Sequence, residues 1–238
     1  MTLWERLDLQ PARHRLVTLV GGGGKTTLMY ALAREVRAAG GSVIVTTTTR
    51  ILPHPRLFLT QETRPDQLRA LLEARGVLCL GRRSPEGKLR GAGGLEVCRD
   101  IAQAVLVEGD GAKCRPLKAP ADYEPVIPPE SGAVVAVAGM DCLDRPIRDA
   151  CHRPERVCAL LGKPPEALVE PEDVAQILSS PQGGRKSVEP PMAFRCVLNK
   201  AELAPQSAEY IRRLLEGRGI HAAVTSFQEK ERGGLCWF

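Results

Sequence analysis

An apolar run of strand length, residues 15–20, stops at four consecutive glycines, Gly21, Gly22, Gly23 and Gly24, and resumes at once as Lys25-Thr26-Thr27. Beyond Lys25 the period changes: Leu28, Leu32 and Val36 stand four apart, on one face of a helix that Gly40 and Gly41 end. A second apolar strand, residues 42–45, then runs into four threonines, Thr46 to Thr49. Strand, glycine loop, helix and strand make a βαβ unit, which commits the chain to a parallel sheet. The predicted fold class is α/β and P-loop NTPase-like, a mostly parallel sheet flanked by helices on both faces.

The same residues suit a polyphosphate. Backbone N–H groups of a tightly curled loop, placed just before a helix N-terminus, meet negative charge with donors and a positive dipole end. Lys25 is placed to reach the outer phosphates of ATP or GTP, and the Thr26 hydroxyl to ligate Mg²⁺. The longer form of this loop carries a glycine where Leu19 stands, so the chain has the shorter G-x-x-G-K-[ST]-T form, similar to that of the Mur ligase group. Hydrolysis does not follow from such a loop, which ligases, kinases and switches share.

The rhythm continues through strands predicted at residues 77–80, 104–107, 133–137, 194–198 and 222–227, and helices at 65–75, 154–161, 172–179 and 206–218. Residues 84–94 and 180–191, rich in glycine with charge or proline, read as surface loops able to move. A single nucleotide-binding domain over residues 1–238 is the expectation.

A hard cation beside phosphates takes oxygen ligands, commonly including an acid at the end of a buried strand. Glu108 ends such a strand, and Asp110 follows between Gly109 and Gly111, free to bend toward a metal or water. Either fits the Mg²⁺ site, and with Lys25 they are the candidate catalytic groups. Thr47, in the threonine run beside the phosphate loop, is a further candidate metal ligand, with Arg50 as a phosphate contact. Arg115 and Lys118, in a proline-stiffened basic stretch after the acids, suit an anionic second substrate or the γ-phosphate. Asp141 lies at a strand end, where open α/β sheets line a ligand crevice. Asn199-Lys200-Ala201-Glu202 resembles the guanine-reading Asn-Lys-x-Asp element of GTPases, with Glu202 in place of the aspartate.

The net charge of +5 is scattered, and aromatics make up 4% of the chain, which argues against nucleic acid as the ligand. Eight cysteines without a C-x-x-C pair suggest neither zinc nor a redox motif. The chain has no apolar stretch of membrane-spanning length and no signal-peptide core near Met1, so the cytoplasm is the expected compartment, with no membrane partner.

Taken together, the motifs resemble the YqeC-like accessory proteins of selenium-dependent molybdenum hydroxylases. The resemblance rests on Gly21 to Thr27, Thr46 to Arg50, Val107 to Ala112 running into Arg115-Pro116-Leu117-Lys118-Ala119-Pro120, and Glu124 to Pro128. It continues in Ala138 to Asp141, His152-Arg153-Pro154-Glu155 and Leu198 to Ala201. It implies a nucleotide-dependent role in maturing a molybdenum hydroxylase or inserting its cofactor, with the hydroxylase or its maturation proteins as partners. His152 and Arg153 become substrate or phosphate candidates through this resemblance alone. An ATP-dependent ligase or phosphotransferase on a small anionic substrate is one alternative to an NTPase, and a non-catalytic nucleotide switch or carrier another.

Overall fold

The computed structural model describes residues 1–51, 53 and 57–227. Eight strands form its main sheet: β1 (Leu16–Gly21), β2 (Val43–Thr47), β3 (Phe58–Thr60), β4 (Val77–Leu80), β5 (Ala104–Glu108), β6 (Ala133–Gly139), β7 (Ala193–Asn199) and β8 (His221–Val224). Every pairing within it is parallel, in the order β8-β7-β6-β1-β5-β2-β4-β3. The chain leaves β1 toward β2, returns as β5 to fill the place between them, and then crosses to β6 on the other side. The order therefore reverses at β1, and carboxyl-end loops around such a point frame the crevice in which α/β sheets bind ligands. Register puts Glu108 opposite Leu19 on one side and Thr47 on the other, at that same end of the sheet.

Helices cover both faces. On one, α2 (Lys25–Ala38) buries Leu28, Met29, Leu32 and Val36 against Val17, Leu19, Val45, Leu106 and Val135. Helix α1 (Leu3–Arg6) closes that side: the Trp4 indole N–H donates to the Leu32 carbonyl, and the Leu3 N–H to the Glu35 carboxylate. On the other face, α3 (Pro65–Arg75) and α4 (Leu95–Ile101) place Leu68, Leu72 and Cys98 on Ile44, Leu78 and Val105. The remaining helices, α5 (Ile147–Ala150), α6 (Pro154–Leu161), α7 (Pro171–Ser179) and α8 (Pro205–Glu216), bring Ile147, Val157, Val174, Ile177, Ile211 and Leu215 onto Val134, Ala136, Cys196 and Leu198. Burial on both sides explains why the central strands read as unbroken apolar runs.

Several sequence expectations need correction. Residues 84–94 are not wholly a surface loop: Leu89–Arg90 pairs antiparallel with Arg82–Arg83 and with Arg50–Ile51, and Leu89 is fully buried. Residues 180–191 fold as turns in which Gly183 and Gly184 sit on the backbone of Ile177 and Leu178. Strand β3, helix α1 and helix α4 were not expected, being too short or too polar to carry a periodic signal. The last strand ends at Val224 rather than at residue 227, although Phe227 is buried. Among the described residues no helix is long and apolar enough to cross a membrane.

Candidate functional site

The four glycines lie at the carboxyl end of β1 with protein backbone pressed on them. A Cβ on Gly22 would stand 2.5 Å from the Arg115 carbonyl oxygen, and one on Gly23 2.0 Å from the Gly139 nitrogen, with φ of Gly23 at +72°. The loop is therefore clamped between the end of β6 and the Arg115-Pro116 segment. Three of its N–H groups are used within the protein: Gly21 donates to the Asp110 carboxylate, Gly22 to Val137 and Gly23 to Arg115. The first intrahelical bond of α2 runs from Leu28 to Gly24. The N–H groups of Lys25, Thr26 and Thr27 precede that bond, and helix geometry leaves such groups to meet an anion. The donors left for an anion thus belong to the helix start more than to Gly21, Gly22 and Gly23.

The Thr26 hydroxyl donates to a Glu108 carboxylate oxygen at 2.8 Å, joining α2 to β5. Lys25 Nζ lies 2.5 Å from the Gly21 carbonyl, 3.2 Å from Asp110 and 3.8 Å from Glu108. Burial pushes the Glu108 carboxyl above its ordinary value, with Lys25 and the Thr26 hydrogen bond opposing the shift. Asp110, expected from its flanking glycines to be free to bend, is instead held on all sides. Its residue is 2% exposed, and its oxygens take the Gly21 N–H, Lys25 Nζ and, at 3.0 Å, Lys118 Nζ.

Lys118, 3% exposed, also meets Glu124 at 2.7 Å and the Gly111 carbonyl at 2.6 Å. Glu124 in turn meets Arg153 at 3.1 Å, and the Arg153 guanidinium lies over the Tyr123 ring. Burial pulls Glu124 upward, but Lys118 and Arg153 hold it below its ordinary value. An alternating chain of charges, Glu108, Lys25, Asp110, Lys118, Glu124, Arg153, so runs from the phosphate loop to the start of α6. His152 pairs with Lys118 across a two-residue parallel bridge, and burial with the nearby Lys118 and Arg153 charges lowers its pKa. The Arg115 side chain turns away to the Asp149 carbonyl, while its own carbonyl binds the loop.

At the end of β7, the buried Asn199 amide donates to the Gly23 carbonyl at 2.8 Å and accepts from the Thr225 hydroxyl at 3.1 Å. Lys200 is paired with Asp141, whose other oxygen is buried without a hydrogen-bond partner beside Gly139. Glu202 accepts from the Ser226 hydroxyl. The Thr47 hydroxyl donates to the Glu108 carbonyl and takes the Thr49 N–H, so it is spent on backbone. Arg50 lies apart from the loop, lining a cleft of about 470 Å³ with Thr46 to Thr49, Arg90 and Gly91.

The structure thus gathers Gly21 to Thr27, Glu108, Asp110, Lys118, Asn199, Lys200 and Asp141 around the end of β1. His152, Arg153 and Glu202 stand at its margins, and Thr47 and Arg50 beside the neighbouring strand. Sequence reasoning named Glu124 only as part of a motif and did not single out Tyr123, Thr225 or Arg90; no spacing in the chain connects these residues to the glycine loop. Seven cysteines are described, all free: Cys79, Cys98, Cys142, Cys151 and Cys196 are buried, and Cys114 is exposed beside the site. Burial raises the Cys98 thiol to about 11.

Fold and loop together define an α/β protein of the P-loop NTPase-like class. The chain belongs to the YqeC family: the sequence model of the YqeC protein matches residues 17–155. It is 32% identical over 184 residues to the uncharacterized protein YqeC of Escherichia coli (strain K12), an alignment covering 74% of this chain and 72% of that protein. No solved structure matches the chain.

Proposed function

We propose that the chain is an Mg²⁺-dependent nucleotide-binding protein that hydrolyses ATP or GTP in the maturation of a selenium-dependent molybdenum hydroxylase, or in insertion of its cofactor. The observation that carries the nucleotide part is the Thr26–Glu108 contact at the start of α2, with Lys25 beside it. A threonine hydroxyl and a carboxylate side by side at a helix N-terminus fit a cation that takes its remaining oxygens from phosphates and water. Mg²⁺ bound there would neutralise charge on the β- and γ-phosphate oxygens. Lys25 and the N–H groups of Lys25, Thr26 and Thr27 would stabilise charge developing on the transferred phosphoryl. The fixed Asp110 holds Lys25 and Gly21 in place and is poorly suited to reach a metal. The client rests on the motif resemblance alone.

Calorimetric titration with ATP and GTP analogues in Mg²⁺, on the wild type, Lys25→Ala and Thr26→Val, tests the nucleotide part. Saturable binding that both substitutions weaken supports it, and a GTP preference assigns Asn199 to Glu202 to the base. If neither nucleotide binds, the proposal fails. Phosphate release measured with and without the hydroxylase tests the client, and triphosphate recovered intact in both cases would replace the NTPase with a switch. A ligase or phosphotransferase is the second reading, favoured by the arginine-lined cleft at the end of β2; phosphate release that requires a small molecule would support it.

A further inference from the structure

We propose that the cleft at the carboxyl end of β2 is a second anion site that takes a phosphomonoester of small-molecule size through Arg50 and Arg90. That this molecule is a co-substrate rests on the nucleotide reading of the neighbouring loop; the anion site itself does not.

The two arginines face each other directly across an antiparallel pair, and Arg82 is the direct partner of Arg90 on its other side. Residues opposite one another in such a ribbon share a face, and like charges in that position repel. The other face carries Ile51 and Leu89, both buried, so the row cannot turn over to relieve the repulsion. Arg50, Arg82 and Arg90 form no ion pair among the described residues. Glu86, fully exposed and hydrogen-bonded to Ser84, is the acid that feels both Arg50 and Arg90, without an ion-pair contact to either. An anion between the two guanidiniums would relieve the repulsion that the fold itself imposes.

The walls decide what kind of anion. The hydroxyl protons of Thr46, Thr47 and Thr48 go to the carbonyls of Leu80, Glu108 and Val126. Thr47 Oγ1, having donated its own proton, can only accept from Thr49. The threonines therefore shape the cleft while recognition falls to the arginines, whose planar forks match phosphate oxygens. A phosphomonoester, carrying about −1.5 to −2 charges at neutral pH, balances two guanidiniums. Gly91 makes the floor, where a Cβ would stand 2.2 Å from the Thr47 carbonyl oxygen. The volume of about 470 Å³ falls within the range of small-molecule sites. Among the described residues the lining has no aromatic ring on which a nucleic-acid base could stack. Thr47 pairs in register with Glu108, so the cleft adjoins the strand end that carries the candidate Mg²⁺ ligand.

The test is calorimetric titration with glycerol 3-phosphate, with glycerol as the uncharged control. It would be run on the wild type, Lys25→Ala, Arg82→Gln and the double variant Arg50→Gln/Arg90→Gln. The exposed arginines can be changed without opening the core, and circular dichroism checks the fold. Expected are binding that survives in Lys25→Ala, a loss of at least tenfold in the double variant, and a smaller loss in Arg82→Gln, which lies outside the cleft lining. Absence of binding in the wild type, or equal binding in the double variant, overturns the site. Loss confined to Lys25→Ala overturns it too, by placing the anion on the glycine loop. An Arg82→Gln loss as large as that of the double variant would replace the site with diffuse surface charge. Failure of ATP and GTP to bind, with glycerol 3-phosphate still bound in the cleft, would sink the nucleotide reading and leave this one standing.

Discussion

Thr26 and Glu108 lie 82 residues apart in the chain, yet the hydroxyl of one sits 2.8 Å from the carboxylate of the other. If this pair completes the Mg²⁺ site, Glu108→Gln should weaken Mg²⁺-dependent nucleotide binding by about tenfold or more. Binding measured in EDTA should change little. Equal loss in both conditions would mean that Glu108 serves the loop rather than the metal.

The raised pKa of Glu108 gives this effect a pH dependence. A proton on Glu108 excludes the cation, so Mg²⁺-dependent affinity should fall as pH drops toward the raised value, before the ordinary 4.5 is reached. Stability moves the opposite way. A folded-state pKa above the unfolded one gives a contribution that is full below 4.5 and lost as pH rises through the folded value. Urea denaturation of wild type and Glu108→Gln across this window should show the wild type losing ground to the variant as pH rises.

Lys118 is buried between Asp110 and Glu124. Lys118→Met leaves two buried carboxylates without their shared cation and should cost roughly 3–5 kcal/mol in denaturant unfolding. Adding Asp110→Asn and Glu124→Gln should recover part of the loss, because the uncompensated charge, more than the missing packing, is what destabilises.

Asn199→Ala removes the donor to Gly23 and the acceptor for Thr225, both buried contacts. A loss of about 1–3 kcal/mol in stability is expected. Nucleotide affinity should fall for ATP and GTP alike, since the glycine loop loses its tie to β7. Glu202→Asp should alter only the preference between the two, and a change in both affinities would detach Glu202 from the base.

Two glycines with positive φ separate strain from crowding. Gly40, at +80°, has open space where a Cβ would go, so Gly40→Ala should cost only the backbone strain, about 1 kcal/mol. Gly23→Ala adds a contact 2.0 Å from backbone nitrogen of Gly139 and should cost clearly more in thermal unfolding.

What the chain determines by itself is whatever neighbours in sequence decide together. Residues 15–27 specify strand, turn and helix locally, and the doubly buried strands advertise themselves as apolar runs whatever they pair with. The α3 helix at Pro65–Arg75, the α6 helix at Pro154–Leu161 and the strand at Val77–Leu80 were legible to the residue for that reason. The glycine loop and the acid at Glu108 were legible too, since each follows directly on its own strand. Short pieces such as Phe58–Thr60 and Leu89–Arg90 were not, because two or three residues hold no period.

Only the tertiary structure decided which groups the glycine loop would meet. Asp110 reaches Gly21 across 89 residues from just past the end of β5, the strand beside β1, and Asn199 reaches Gly23 across 176 from the end of β7, which β6 separates from β1. In the sequence Lys118 and Arg153 stood as separate substrate or phosphate candidates, and Glu124 only as part of a motif, with nothing to join the three. They became one alternating chain, buried at Lys118 and Glu124 and half-buried at Arg153, because a charge that packing removes from water must find its opposite. Hydrogen-bond satisfaction is a property of the folded interior, and the contacts of Asp110 to Gly21, Lys25 and Lys118 follow from that accounting, which no local pattern encodes.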